Sequence, residues 1–291
     1  MKRGVPKIMI VLINRDSGST SDRTSAELQQ ILQEHDLTAQ IIETRSDDLT
    51  RDISDTVEKD PEMIIAIGGD GTAACLLDQC HGRDIEVLPL PGGTMNLLHK
   101  SLHGEFDDWQ DCLTKALTTG RARKISCGQV ADRTFYVGAT FGQLSHLSEV
   151  REKIREGSFT EAADELIKTE ALDLTTTLEI TYKEATGCEA RLDATAVGSL
   201  LIAGNGPAHY RFDIGIMDPG SHFSLAKTAL AAIVNDWRKL EDIDFIRTRA
   251  FTVFDNERDE IAATLDGEPA ELPNLCDVKI KENVVSVRTA K

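Results

Sequence analysis

The amino-acid sequence predicts two domains: an α/β domain with a parallel sheet over residues 1–123, and a β-rich domain with an antiparallel sandwich over residues 124–291. Three observations support this division. Short apolar runs alternate with helical stretches in the first part of the chain. Glycine-containing loops directly follow three of these apolar runs. From about residue 124 short strands separated by turn residues dominate, and the last of them is a candidate to return to the first domain.

The first domain is predicted to contain four parallel strands, because runs of aliphatic residues are typical of strands buried on both faces of a sheet. These strands are expected at residues 8–13, 38–43, 63–67 and 87–90. Apolar residues at helical spacing predict helices that begin near Thr24, Leu49, Ala73 and Trp109. At the first of these, Thr24 and Glu27 have the spacing of a capping box.

The second domain is predicted to be mainly antiparallel, with a few helices between its strands. Strands are expected at residues 124–130, 134–137, 175–182, 194–203, 244–253, 260–265, 278–281 and 284–288. Helices are expected at residues 144–155, 160–172 and 227–238. The dipeptide Asp266-Gly267 is typical of a tight hairpin turn.

Three loops of the first domain are candidates for a ligand site: residues 14–18, 68–72 and 92–96. Each follows a predicted strand, and ligands of parallel sheets bind at the carboxyl ends of the strands, so we expect these loops to converge on one crevice. Glycine lets the backbone approach a phosphate closely, and a helix N-terminus favours an anion. The loop at 68–72 has neither the P-loop pattern nor the spacing of the dinucleotide fingerprint.

Asp70, within the second of these loops, has two interpretations. Beside bound phosphates a carboxylate is useful through a metal ion or a ribose hydroxyl. Alternatively, Asp70 caps the next helix, which is a frequent role of aspartate.

Composition and charge exclude several classes of function. The chain has 32 Lys and Arg against 49 Asp and Glu, a net charge of −17. Such a surface repels nucleic-acid phosphates and anionic lipid headgroups, so we expect no nucleic-acid partner and, at most, transient membrane contact. No apolar run approaches the ~18 residues of a transmembrane helix, and the run at 8–13 is too short for a signal peptide. The six cysteines form no CxxC pair, which favours reduced thiols in a cytoplasmic protein over a zinc site.

The loops resemble those of the diacylglycerol kinase catalytic domain family, which includes bacterial lipid kinases and the sphingosine and ceramide kinases. Gly-Gly-Asp-Gly-Thr at 68–72 and Gly-Thr-Met-Asn at 93–96 follow the third and fourth strands, as they do in that family. Other segments match in order along nearly the whole chain: Asn14 with Ser17 and Gly18, and residues 135–142, 205–206 and 265–269. The resemblance implies ATP binding in a cleft between an α/β domain and a β-rich domain.

The resemblance also implies roles for particular residues. Asp266 would act as the general base that removes the proton of a lipid hydroxyl, while Asp70 would be a second catalytic residue and would bind Mg²⁺. The residues implied to hold ATP are Asn14, Ser17, Gly18, Gly68, Gly69, Asp70, Gly71, Thr72, Gly93, Thr94, Asn96 and Glu268. The implied cofactors are ATP and Mg²⁺, the implied substrate is a membrane lipid, and the implied location is cytoplasmic, peripheral at the inner face of the membrane.

The chain departs from the family pattern mainly at carboxylates. Cys75, Leu97 and Ser126 stand where a Glu and two Asp residues are common, and residues 218–220 are Asp-Pro-Gly where Asp-Asp-Gly is expected. Arg15 replaces the usual Pro of the first loop. Bacterial relatives use several of these carboxylates in a magnesium-linked network, so the departures leave magnesium binding open.

Two other functions stay open. An NAD kinase shares Gly-Gly-Asp-Gly-Thr, but residues 91–96 have the lipid-kinase form. A non-catalytic lipid- or nucleotide-binding protein fits the missing carboxylates, whereas the retained Asp266 favours catalysis. Within the lipid-kinase interpretation the acceptor is either diacylglycerol-like or sphingoid-like and ceramide-like. Apolar residues in 144–154 and 166–172 are candidates for an acyl pocket, and Phe159, Tyr210 and Phe212 for membrane docking.

Overall fold

The computed structural model describes residues 8–94, 96–142, 177–184, 187–194, 196–202, 210–217 and 244–291. The chain divides into two compact units, Met1–Ser126 with Glu282–Lys291, and Cys127–Lys281. The helices expected at 144–155, 160–172 and 227–238 lie outside the described residues, as do residues 205–206 and 218–220 and Phe159.

The first unit begins with alternating strands and helices. Its elements are β1 (Met9–Asn14), α1 (Thr24–Glu34), β2 (Gln40–Thr44), α2 (Leu49–Val57), β3 (Met63–Gly68), α3 (Asp70–Gln79), β4 (Glu86–Pro91), α4 (Leu97–His103) and α5 (Trp109–Thr118). The strands pair in parallel in the order β2-β1-β3-β4. The final strand of the chain, β16 (Leu275–Thr289), pairs in parallel with β4 through Ser286 and Val287.

Burial explains why the central strands could be recognised from their sequence. All six residues of β3 are buried, and so are the last five of β1. Helices α1 and α5 cover one side of the sheet, where Leu28, Leu32 and Leu113 pack against strand side chains such as Ile65. Two details differ from the prediction. The short helix α4 was not expected, and Thr24 is the first residue of α1 rather than its cap, since its Oγ1 accepts the N–H of Ser21 at 2.9 Å.

The second unit is built from antiparallel strands, and β5 (Arg121–Val130) leads into it. The further strands are β6 (Arg133–Phe135), β7 (Gly138–Gly142), β8 (Leu178–Lys183), β9 (Glu189–Ala194), β10 (Ala196–Ile202), β11 (Arg211–Met217), β12 (Asp244–Thr248), β13 (Ala250–Asp255), β14 (Glu260–Leu265) and β15 (Glu268–Pro273). One sheet has the order β12-β11-β10-β7-β14-β15, and in the other β16 pairs with β13, β13 with β8, and β8 with β9.

The two antiparallel sheets share one hydrophobic core. Phe212 of β11 lies 5.6 Å from Phe251 of β13 and 5.8 Å from Phe135 of β6, measured between ring centroids. Side chains from both sheets therefore interdigitate as in a β-sandwich. Together with the parallel sheet of the first unit, this arrangement confirms the predicted fold class.

Burial in this core contradicts one prediction from the sequence, and several observed strands have bounds that differ from the predicted ones. Phe212 is fully buried and Tyr210 is 8% exposed, so neither side chain is available for membrane docking. Residues 244–253, expected as one strand, form β12 and β13, which belong to different sheets. Conversely, the two strands expected at 278–281 and 284–288 are parts of the single strand β16, which continues through Asn283 despite its φ of +55°.

Candidate functional site

The three glycine-containing loops of the first unit are in direct contact. The side-chain amide of Asn14, at the end of β1, donates to Thr72 Oγ1 at 3.0 Å. The N–H of Ser19 donates to the carbonyl of Gly92 at 2.9 Å, and the N–H of Gly92 donates to the carbonyl of Gly68 at 2.7 Å. The carboxyl ends of β1, β3 and β4 therefore meet at one edge of the parallel sheet, where parallel sheets bind their ligands.

The close approach of the second and third loops requires glycine. A Cβ atom on Gly93 would lie 2.7 Å from the Cα of Gly69, and a Cβ on Gly92 would lie 2.9 Å from the N of Gly68. Neither distance is compatible with normal packing. The glycines thus let the backbones of the two loops pack directly against each other.

Helix α3 begins in the second loop, and its N-terminus has no side-chain cap. Gly69 precedes the helix with an extended backbone and has no side chain to accept from the first turn. The first amides of a helix lack intrahelical partners and carry a partial positive charge. This end of α3 is therefore chemically suited to a phosphate group.

Asp70 connects the second loop to helix α4. Its two carboxylate oxygens accept the N–H groups of Leu97 and Leu98, each at 2.9 Å, and His99 Nδ1 lies 3.3 Å from Oδ1. Burial opposes ionisation of Asp70, but the hydrogen bonds from His99, Leu97 and Leu98 outweigh it and lower the pKa of the carboxyl group. Asp70 therefore caps a helix, as its alternative interpretation proposed, but the capped helix is α4 rather than its own.

Asn96 shapes the turn between β4 and α4. It has a left-handed backbone with φ of +51°, a conformation that asparagine tolerates better than most residues. Its side chain accepts the N–H of Gly93 at 3.0 Å and donates to the carbonyl of Gly93 at 2.8 Å. These two hydrogen bonds within the third loop fix its conformation.

His99 is the residue of this cluster that the sequence analysis missed. It is 3% exposed and lies beside Asp70, which is distant in sequence. A histidine within an unpredicted seven-residue helix carries no local signal for such a contact. Only the folded arrangement of α3 and α4 reveals it.

Asp266 occupies the tip of the β14–β15 hairpin in the second unit. Leu265 pairs with Glu268, and Asp266 and Gly267 have φ values of +49° and +88°, as a two-residue type I′ turn requires. The carboxylate accepts the N–H groups of Tyr136 at 2.6 Å, Val137 at 2.7 Å and Gly138 at 2.9 Å. These bonds anchor the hairpin to the segment between β6 and β7, and the general-base role stays a prediction.

The predicted site residues fall into two groups. Those in the first unit lie in or beside the three loops: Asn14, Ser17, Gly18, Gly68, Gly69, Asp70, Gly71, Thr72, Gly93, Thr94 and Asn96. Asp266 and the exposed Glu268 lie in the second unit. The contacts described above join members of the first group to each other.

Asp70 alone does not make a metal site that the protein could hold by itself. Both of its oxygens are engaged by backbone N–H groups. Within the described residues no three His, Cys, Asp or Glu side chains are grouped closely enough to hold a metal ion. Two residues that stand where the family has carboxylates differ in burial. Leu97 is exposed, whereas Ser126 is buried and its hydroxyl accepts the N–H of Asn283 at 3.3 Å. We therefore derive no reaction step through magnesium.

The parallel sheet and the contacts among the three glycine-containing loops at the carboxyl ends of its strands define an α/β protein. Comparison with known families specifies it further: residues 8–130 match the diacylglycerol kinase catalytic domain. The match covers less than half of the chain, includes all three loops and confirms the resemblance seen in them.

Solved structures share the fold over almost the full length of the chain. A diacylglycerol kinase from Bacillus anthracis strain Sterne is 17% identical with a TM-score of 0.69, over 97% of this chain and 96% of that chain. Another structure, provisionally assigned as a diacylglycerol kinase from the same strain, is 16% identical with a TM-score of 0.70 over the same shares. No curated protein matches the sequence significantly. In the part of the chain that the structure describes, no helix is long and apolar enough to cross a membrane.

Proposed function

We propose that this protein is an ATP-dependent lipid kinase, with Asp266 as its general base. The observation that carries the proposal is the contact among the three glycine-containing loops, in a segment that matches the diacylglycerol kinase catalytic domain. The expected acceptor is a hydroxyl of a membrane lipid that is either diacylglycerol-like or sphingoid-like. We further propose a cytoplasmic location, with transient contact at the inner face of the membrane.

ATP binding is assigned to the loop edge of the first unit. Phosphoryl transfer depends chiefly on positioning and charge stabilisation, and backbone N–H groups at glycine-rich loops and helix N-termini provide both. The uncapped start of α3 and the glycine contacts at Gly68 and Gly93 support this role. Asn14 and Asn96 would act indirectly, by holding the loops in shape.

The proposed reaction is a direct transfer. The lipid hydroxyl oxygen forms a bond to the γ-phosphorus of ATP, the bond between that phosphorus and the β–γ bridging oxygen breaks, and ADP leaves. Asp266 orients the hydroxyl and accepts its proton. The match of residues 265–269 to the family supports this assignment, and the hydrogen bonds from Tyr136, Val137 and Gly138 hold the carboxylate in one orientation.

The lipid acceptor lies in a bilayer, so turnover requires contact with the membrane surface. A net charge of −17 opposes long residence on an anionic bilayer. The phosphorylated lipid stays in the bilayer, so the protein must dissociate from the membrane after transfer. Transient contact is consistent with this requirement and with the net charge.

The test is transfer of labelled phosphate from ATP, with magnesium in the buffer, to diacylglycerol, ceramide, sphingosine and NAD offered in parallel. Labelled product on one lipid class supports the kinase and identifies its acceptor. Label on NAD would contradict the lipid-kinase proposal.

A non-catalytic binding protein is the second candidate, favoured by Cys75, Leu97 and Ser126, which stand where the family commonly has carboxylates. It predicts ATP or lipid binding without transfer to any acceptor. Equilibrium binding of ATP, measured alongside the transfer assay, distinguishes the two candidates.

A further inference from the structure

Helix α4 contains two buried histidines whose hydrogen bonding differs. His103 uses both ring nitrogens: Nε2 donates to the carbonyl of Pro89 at 2.7 Å, and Nδ1 accepts the N–H of Ala290 at 3.3 Å. His99 uses one, because Nδ1 contacts Asp70 while the buried Nε2 has no hydrogen-bond partner among the described residues. His103 is therefore a satisfied core residue, whereas His99 is not.

The bonding of His99 argues against a role in stability alone. A buried polar atom without a partner is unfavourable, and an apolar side chain of similar size avoids this cost. Each carboxylate oxygen of Asp70 already has a hydrogen-bond donor without the imidazole, since the N–H groups of Leu97 and Leu98 donate to them. Side chains that break a local rule of packing or bonding are expected at functional positions.

The contact does have a geometric effect. Asp70 is the first residue of α3 and follows directly on the second loop, while α4 follows directly on the third loop. The carboxylate therefore bridges the two elements that continue from these loops. Because a carboxylate only accepts hydrogen bonds, His99 must donate from Nδ1, and this third donor fixes the orientation of the carboxylate between them.

We infer that His99 is a positioning residue that, through Asp70, holds the second and third loops in the arrangement that binds the triphosphate of ATP. This inference rests on the proposed function. His99 acts through Asp70 and makes no contact with the phosphates itself.

Three variants test the inference. His99→Leu removes the donor and keeps the bulk, His99→Asn keeps a donor near the position of Nδ1, and His103→Leu is the matched control on the same helix. The measurements are the Kd of a non-hydrolysable ATP analogue by calorimetry, the KM values for ATP and for lipid, and the thermal midpoint. The binding measurement needs no turnover.

We expect His99→Leu to raise the Kd and the KM for ATP about tenfold, the size of effect that follows loss of a hydrogen bond to a charged group. The KM for lipid should stay at its wild-type value. The thermal midpoint should change little, because removal of the unpartnered Nε2 offsets loss of the hydrogen bond to Asp70. His99→Asn should restore most of the ATP affinity. His103→Leu should lower the thermal midpoint and leave the Kd for ATP unchanged.

Several results would overturn the inference. A wild-type Kd in His99→Leu contradicts it, and so does a large fall in thermal midpoint, which would mark His99 as structural. The inference is also contradicted if His103→Leu or His99→Asn loses as much ATP affinity as His99→Leu does. If the wild-type protein bound no ATP analogue, the proposed function itself would fail and the inference with it, whereas the other results leave the kinase proposal standing.

Discussion

At the scale of single residues, His103 illustrates how surroundings set a protonation state. It is 3% exposed, and burial is the main reason why its pKa is lowered from 6.5 to about 4. The neutral ring matches its contacts, because Nε2 must donate to Pro89 while Nδ1 must accept from Ala290. A second proton on this imidazole would place Nδ1–H against the N–H of Ala290, two donors with no acceptor between them.

This state predicts a pH dependence of stability. Because the unfolded chain binds a proton near pH 6.5 and the folded protein only near pH 4, His103 lowers the free energy of unfolding as the pH falls between these values. The contribution approaches about 1.4 kcal/mol per pH unit. Urea unfolding of wild type and His103→Gln should therefore converge as the pH falls from 7 to 4.5.

The difference in the free energy of unfolding between wild type and His103→Gln does not contain the contribution of the carboxylates, because that contribution is common to both proteins. Asp70, for example, has a lowered pKa, so its stabilising effect is lost only at more acidic pH. A difference between wild type and His103→Gln that stays constant with pH would contradict the neutral assignment.

At the scale of loops and helices, the contact between the second and third loops determines which changes are tolerated. Gly93 faces the backbone of Gly69, which has no flexible end to move aside. A methyl group at position 93 must therefore displace one loop from the other. At position 69 the nearest atom to a new Cβ is 3.6 Å away, an ordinary contact.

We expect Gly93→Ala to reduce the free energy of unfolding by about 1–3 kcal/mol, the usual cost of overpacking. Gly69→Ala, the matched variant on the opposite side of the same contact, should reduce it by less than Gly93→Ala does, because only the preference for glycine over alanine at a helix N-cap is lost. Urea unfolding measures both. Equal effects of the two substitutions would show that the loops are not in the contact described here.

Local sequence patterns account for part of these elements and of the site. The buried runs of β1, β3 and β4 predicted three strands, and the loops after them contained the residues that are in contact. Helix α4 was missed because it is only seven residues long. The hydrogen bonds that Asp70 accepts from Leu97, Leu98 and His99 join residues 27 to 29 positions apart. They therefore depend on tertiary packing that no local pattern encodes.

At the scale of the whole molecule, the proposal assigns separate tasks to the two units. The first unit carries the loop edge assigned to ATP, and the second carries Asp266 on a hairpin whose turn was predicted from Asp266-Gly267. The single strand β16 contributes residues to both units. The sequence indicated a last strand that returns to the first domain, but it did not indicate that this strand is continuous through Asn283. Phosphate transfer by this protein therefore depends on Asp266 as the group that accepts the proton of the lipid hydroxyl.

That claim needs a control for structure, since Asp266 also binds three backbone amides. Asp255 provides one: it is buried in the second unit, and its Oδ1 accepts the N–H groups of Glu257 at 2.9 Å and Arg258 at 3.1 Å. Asp255→Asn therefore perturbs a comparable turn to which no catalytic role is assigned.

The most direct measurement is the rate of phosphate transfer from ATP to the lipid acceptor in wild type, Asp266→Asn and Asp255→Asn, well below their thermal midpoints. We expect Asp266→Asn to lower kcat by about 10²- to 10⁴-fold, the range for loss of a general base, with the Kd for ATP unchanged. Asp255→Asn should lose stability and keep its kcat. Near wild-type kcat in Asp266→Asn, or an equal loss in Asp255→Asn, would contradict the claim that Asp266 is the general base.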